Sequence, residues 1–234
     1  MLKHWSFVIV LFMLVSADSH RLHSVTDVKE VLKQVKEKYD KVADYTATGK
    51  LKTNVVFIKA PVATVKVYYK KPDKLKIKNE KGISLIPKGT ININPNNVLT
   101  ITEYETIDGG NEKVDGKNCR VIKIFPVDDK NDISRATLYV DETDMLLIKS
   151  VISSKENGTY ELVLSYGTQK SWALPDKVEF TFNPREFKLP KGVTIDYDNR
   201  TNKPAEKEKS KKGRVEIHYS KYEINQGIKD EVFN

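Results

Sequence analysis

Val65-Lys66-Val67-Tyr68-Tyr69-Lys70-Lys71-Pro72-Asp73-Lys74-Leu75-Lys76-Ile77-Lys78 decides how this chain folds. Val65, Val67 and Tyr69 alternate with Lys66, Tyr68 and Lys70, and beyond Pro72-Asp73 the residues Leu75 and Ile77 alternate with Lys74, Lys76 and Lys78. Successive side chains of a strand point to opposite faces, so the stretch spells two half-buried strands joined at a proline turn. The same period runs outward. Upstream, Tyr45, Ala47, Gly49, Leu51, Val55 and Phe57 share one face, with Thr46, Thr48, Lys50 and Lys52 on the other. Downstream, strands are predicted over 83–86, 91–93, 98–102, 118–126, 135–141, 145–153, 159–166, 177–183 and 214–224, although 98–102 suits a short helix about as well. The breakers between them are Pro87-Lys88-Gly89, Asn94-Pro95-Asn96-Asn97, Asp108-Gly109-Gly110, Asp141-Glu142-Thr143-Asp144 and Glu156-Asn157-Gly158. Connections this short leave no room for crossover helices. The pattern is mainly β: a large antiparallel meander that has to curl into a barrel or half-barrel to bury its apolar face.

One helix precedes the strands. From Thr26 to Asp40 the residues Val28, Val31, Leu32, Val35 and Tyr39 recur at helical spacing, with Lys and Glu opposite. Ser24 followed by Asp27 resembles a capping box and sets the expected start. A single apolar stripe must cover something larger than itself. With 234 residues and 39% apolar content the chain can build a core, and no boundary splits residues 20–234 into two domains.

Residues 1–19 read as a secretory signal peptide: a basic start at Lys3 and His4, an apolar run from Trp5 to Val15, then Ser16-Ala17-Asp18-Ser19. The run is too short to span a bilayer, which needs about 20 residues. No cysteine follows it to accept acyl chains. The expected location is therefore the periplasm, in soluble form. Net charge is +8, from 40 basic and 32 acidic side chains. Two segments concentrate it. Residues 50–81 hold ten lysines and two acids, most of the lysines on polar strand faces, and residues 198–214 hold five lysines, two arginines and three acids, with the composition of a mobile loop. Neither has an RNP or helix-turn-helix pattern, so nucleic acid is not the expected partner.

Catalytic chemistry is not spelled out. There is no G-x-S-x-G elbow, H-E-x-x-H, phosphate-binding glycine loop or EF-hand ligand series, so no enzyme, cofactor or metal site is predicted. His218 sits between Glu216 and Ser220 on a polar strand face and reads as a surface histidine. Cys119, the one cysteine, opens an apolar strand and reads as a buried, inert thiol; it excludes an internal disulfide. Asp128, Asp129 and Asp132 have the donor type for calcium but read first as turn residues.

Several blocks of this chain resemble the LolA-like outer-membrane lipoprotein-sorting proteins. They are Tyr68 to Ile77; Gly116-Lys117-Asn118-Cys119-Arg120-Val121-Ile122 through Pro126; Leu138-Tyr139-Val140-Asp141 leading to Leu147-Ile148-Lys149; Leu174-Pro175-Asp176-Lys177-Val178-Glu179-Phe180; and the tail with Tyr222, Asn225 and Gly227. The resemblance implies an unclosed β-barrel whose concave face, covered by helix, binds the acyl chains of a lipoprotein and ferries them from an inner-membrane transporter to an outer-membrane receptor. The soluble carrier, a monomer, is the expected member. The alternative is a periplasmic sensor of the same fold that detects lipoprotein or envelope stress. Parity along the strands nominates Leu51, Val55, Phe57, Val65, Val67, Tyr69, Leu138, Val140, Leu162, Leu164, Phe180 and Phe182 as the lining of a hollow of several hundred Å³. Val28, Val31, Leu32 and Val35 would form its lid, and Lys66 and Lys70 at the mouth would meet an anionic headgroup.

The N-terminal reading generates a mass prediction. Intact-mass analysis of the exported protein is expected to give a chain shortened by 17 or 19 residues, counted from Ala17 or Ser19, without added acyl mass. A full-length or acylated species would refute it.

Overall fold

Most strands of this chain carry one apolar and one polar face, and the structure joins them edge to edge so that the apolar faces form one surface. The computed structural model describes residues 27–55, 58–59, 62–81, 97–183 and 212–233. The strands are β1 (Asp44–Val55), β2 (Ile58–Lys59), β3 (Ala63–Lys70), β4 (Lys74–Lys81), β5 (Tyr104–Val114), β6 (Lys117–Pro126), β7 (Ile133–Asp141), β8 (Leu146–Ser154), β9 (Gly158–Ser165), β10 (Lys177–Phe182) and β11 (Gly213–Ile224). They pair in the order β4-β3-β1-β11-β10-β9-β8-β7-β6-β5, with the short β2 alongside β1, and each pair runs antiparallel. The sheet is open, with β4 and β5 at its two edges.

This order corrects the simple meander. From β5 to β11 each strand does pair with the next, but β1 is inserted between β3 and β11 and so joins the first strand to the last. A second correction concerns 98–102. It is a 3-10 turn at Asn97–Thr100 rather than a strand, with Val98 and Leu99 both buried. The third is Asp108-Gly109-Gly110, read as a break between strands. It is a bulge within β5, where the register against β6 shifts between Asp108 and Asn111. A Cβ on Gly109 would stand 2.9 Å from Val121 Cγ1, and Gly110 has φ +76, so both positions need glycine. Sequence pattern missed β5 because this edge strand is exposed along most of its length and has no buried alternate row.

The helix α1 spans Val28–Tyr39, and its cap is Asp27 rather than Ser24, which lies outside the described residues. The Lys29 backbone N–H donates to Asp27 Oδ1 at 3.0 Å, satisfying a first-turn donor. Val28, Val31, Leu32, Val35 and Tyr39 are buried in the same cluster as the inward side chains of the sheet. Each such burial stabilises the fold by about 1.5–3 kcal/mol. The predicted signal peptide, the strands predicted at 83–86 and 91–93, Phe57, and nearly all of the predicted loop at 198–214 lie outside the described residues.

Val31 is fully buried, so Val31→Asp would set a carboxylate against hydrocarbon. Urea unfolding is expected to show a loss of about 3 kcal/mol or more. Lys33→Gln, on the exposed side of α1, should change stability by less than about 0.5 kcal/mol. Equal effects would mean that α1 does not cover the sheet.

Candidate functional site: the helix-covered apolar face

Leu51, Val65, Val67, Tyr69, Leu138, Val140, Leu162, Leu164, Phe180 and Phe182 are all between 0% and 3% exposed and belong to one cluster with Val28, Val31, Leu32 and Val35. The ladders explain how distant residues meet. Ile122, Leu138, Ser150, Leu162, Phe180 and Val215 form one row across β6, β7, β8, β9, β10 and β11. Phe180 stacks obliquely on Phe182 and Tyr160 at 5.2 and 5.4 Å between ring centroids. Phe57 and the side chain of Val55 lie outside what is described.

Two polar atoms interrupt this apolar row. Ser150 Oγ, between Leu138 and Leu162, has no hydrogen-bond partner, and neither does Thr53 Oγ1, whose residue pairs with Val215. A buried hydroxyl left unsatisfied costs about 1–3 kcal/mol. Sequence reading passed over both. Parity carries the signal for Ser150, which shares the inward phase of Ile148 and Ile152.

Helix α1 is fastened at its C-terminal end. The Tyr39 and Tyr166 hydroxyls lie 2.6 Å apart, and Tyr166 Oη donates to the Leu147 carbonyl at 2.8 Å, which leaves Tyr39 as the donor to Tyr166. Burial pushes the Tyr39 hydroxyl up to about 12 and moves Tyr166 in the same direction. Lys38 Nζ donates to the Asp144 carbonyl at 2.6 Å, and burial lowers its pKa. Burial alone would raise the Asp40 carboxyl, but hydrogen bonds from Lys36 and Lys71 outweigh it and hold the group below its ordinary value. The first half of the helix is held by the burial of Val28, Val31 and Leu32, and its exposed Lys33–Glu30 pair at 3.7 Å lies within the helix itself.

Beside the middle of α1 is a small opening of about 30 Å³, bordered by Leu32, Lys36, Val98, Leu99, Ile101, Tyr104 and Ile124. It has room for a water molecule or two, far less than the hollow expected under the helix. Its apolar walls belong to the interior cluster or pack against it.

Lys66 and Lys70 stand on the outward face of β3, in opposite phase to Val65, Val67 and Tyr69. Lys70 Nζ binds Asp230 Oδ1 at 2.8 Å and the Ile228 carbonyl at 2.9 Å. Cys119 is buried, and burial raises its thiol pKa. His218 is exposed, with Nε2 at 3.5 Å from Glu216 Oε2. Asp128 and Asp132 accept from the backbone of Lys130 and Glu156, and Asp132 also accepts from Ser154 Oγ, which is turn chemistry. Among the described residues no group of three His, Cys, Asp or Glu side chains is placed to hold a metal, and no helix is long and apolar enough to cross a membrane.

No family model matches the sequence, and no curated protein does. Solved structures match the fold. A domain described as an outer membrane lipoprotein-sorting protein, from Vibrio parahaemolyticus, aligns with TM-score 0.54 and 10% identity over 88% of this chain and 95% of that one. A DUF1329 family protein from Desulfovibrio piger gives 0.53 and 14% over 88% and 97%. A LolA superfamily protein from Nitrosomonas europaea gives 0.53 and 12% over 87% and 97%. The architecture is LolA-like, as the spaced sequence blocks implied.

The tyrosine pair yields a pH prediction. Tyr39 titrates near 10 when unfolded and about 12 when folded, so the unfolded chain releases this proton first as pH rises. Its contribution is fully present below pH 10 and is lost between 10 and 12. Thermal melts of the protein are expected to fall across that window, and the fall should be shallower in Tyr39→Phe. Tyr166→Phe leaves the Leu147 carbonyl without this donor and should cost about 1–3 kcal/mol at neutral pH. Identical alkaline profiles for the protein and Tyr39→Phe would refute the assignment.

Proposed function

Starting from a LolA-like architecture whose apolar face is covered by one helix, we propose that this protein is a periplasmic carrier. It shelters the acyl chains of a lipoprotein or lipid and moves them toward the outer membrane, receiving them from an inner-membrane transporter and yielding them to an outer-membrane receptor. The observation that carries this reading is the opening beside Leu32, Leu99 and Ile124, because its walls are part of the same apolar cluster that lies under α1. A chain leaving water there gains about 0.8 kcal/mol for each methylene it buries.

The opening as it stands is the closed state. An acyl chain needs several hundred Å³, so α1 and the turn at Asn97–Thr100 swing outward together, pivoting on the hydrogen bonds of Tyr39 and Lys38. Binding has to offset the cost of that opening, which lowers the apparent affinity by the fraction of molecules already open. Ser150 and Thr53 supply hydroxyl donors to an ester or amide carbonyl at the head of the chain. The opening itself is walled by Leu32, Lys36, Val98, Leu99, Ile101, Tyr104 and Ile124, and the residues nominated from strand parity would line the space only once α1 has moved. No covalent step takes place, and the protein acts by binding and release.

Titration with a fluorescent fatty acid is expected to give saturable binding. Leu99→Glu, at the opening, should weaken it tenfold or more while the protein keeps its circular dichroism spectrum, because a charged rim repels hydrocarbon. Absence of saturable binding by the unmodified protein would overturn the reading.

A further inference from the structure

The outward face of β1, β3 and β4 has a charge arrangement that folding does not call for. In the register of β3 with β4, Lys66 stands opposite Lys78, and Tyr68 stands opposite Lys76. Across β1, Lys50 pairs with Thr64, which places it one diagonal step from Lys66. Like charges directly opposite each other destabilise a sheet. Lys70 and Lys74 are also opposite, and there the repulsion is relieved by Asp230, at 2.8 and 3.1 Å. Neither Lys66 nor Lys78 is in ion-pair contact with an acid among the described residues; the one carboxylate that feels Lys66, Glu223, is held by Lys221 at 2.7 Å. Instead their Nζ atoms lie 5.7 and 5.4 Å from the centre of the same half-buried Tyr68 ring.

Protection of an exposed edge accounts for lysines on β4. It does not account for Lys66 or Lys50, because β3 and β1 have strand neighbours on both sides. Something of opposite charge is the missing partner, and residue type says which. Interfaces with proteins are enriched in arginine, whose planar fork pairs with carboxylates, and depleted in lysine. Residues 50–81 contain ten lysines and no arginine. Flexible point charges grouped around a tyrosine suit a plane of diffuse negative charge with an apolar layer just beneath, where an amphipathic ring sits well.

We propose that this face of β1, β3 and β4 binds the surface of an anionic phospholipid bilayer, with Lys50, Lys66 and Lys78 against the headgroups and Tyr68 at their level. The contact goes beyond the carrier reading and does not depend on what the interior holds, since these side chains are in opposite phase to the buried row of β3. It brings the protein to a membrane with the helix-covered side directed away from the lipid.

Co-sedimentation of the purified, processed protein with vesicles tests this. Binding is expected to vesicles of phosphatidylcholine mixed with phosphatidylglycerol, to be lost in about 0.5 M salt, and not to occur with phosphatidylcholine alone. Each surface lysine contributes roughly a fivefold change in affinity, so the double variant Lys66→Gln, Lys78→Gln should bind about 25-fold more weakly. Lys113→Gln, Lys123→Gln removes the same charge from exposed positions near the opposite edge and should bind as the unmodified protein does. Matching thermal melts establish that both variants are folded. Equal weakening in the two pairs, or no binding to anionic vesicles, would overturn the proposal. Saturable binding of polyglutamate in place of vesicles would overturn it too, by identifying an acidic polypeptide as the partner.

Discussion

Strand β1 has to hydrogen-bond along both of its edges at once, and the rest of the sheet depends on its doing so. On one side it pairs with β3 from Asp44 to Leu51, and on the other with β11 from Tyr45 to Asn54. Without the second ladder the chain would contain a small β1–β3–β4 unit and a separate meander from β5 to β11, each with an apolar face too narrow to bury itself. The ladder is fastened by backbone chemistry at one end: Asn225 Oδ1 accepts from the Ala43 N–H at 2.7 Å, and the buried Asp44 carboxylate accepts from Gln226 and Gly227. At the bulge between Thr48 and Gly49 the two strands come so close that a Cβ at Gly49 would lie 2.7 Å from the His218 carbonyl oxygen. The first strand and the last are thus clamped together along one ladder.

An open sheet of this width has two unavoidable problems, its edges and its concave face, and the chain treats them differently. Lysines on β4, and the diglycine bulge and charged side chains on β5, discourage pairing with a further strand. The apolar face is covered by α1, a helix of only 12 residues, which is fixed at its C-terminal end by a tyrosine hydroxyl chain and by Lys38. Directional hydrogen bonds hold that end, and nondirectional apolar contact holds the remainder. Beneath it, the unpaired hydroxyls of Ser150 and Thr53 are a cost that this packing leaves standing.

Period two made most of this legible. The assignments at Val65, Val67, Leu138, Leu162 and Phe180 needed nothing beyond alternation, and all five are fully buried. The helix stripe at Val31 and Val35 was equally plain. What could not be read is informative. Strand β5 left no pattern because an exposed edge strand is free of the burial that creates one. The placement of β1 beside β11 was hidden because alternation fixes which face a residue occupies and says nothing about which strand lies next to it. The size of the hollow was out of reach for a related reason: a side chain that lines a space and one that fills it obey the same parity, and the structure has about 30 Å³ at the flank of α1. Helical spacing makes Tyr39 one more apolar position, whereas its hydroxyl is the part that fastens the cover.

Strand β3 condenses the design. Its eight residues place Val65, Val67 and Tyr69 in the interior and Lys66, Tyr68 and Lys70 on the outside, so one short segment contributes to the apolar face and to the cationic one. A slip of a single residue would exchange the two sets, driving lysines into the core. The register is therefore under double constraint. Pairing with β1 and with β4 fixes it through the backbone, the stacked rings of Tyr45 and Tyr69 at 5.2 Å fix it inside, and the Lys70–Asp230 ion pair ties its end to the last turn of the chain outside. Because the two faces share a backbone but no side chains, charge can change on the outer surface without altering what the inner one encloses. That separation lets a single sheet present charge to water on one side while keeping its apolar side chains from water on the other.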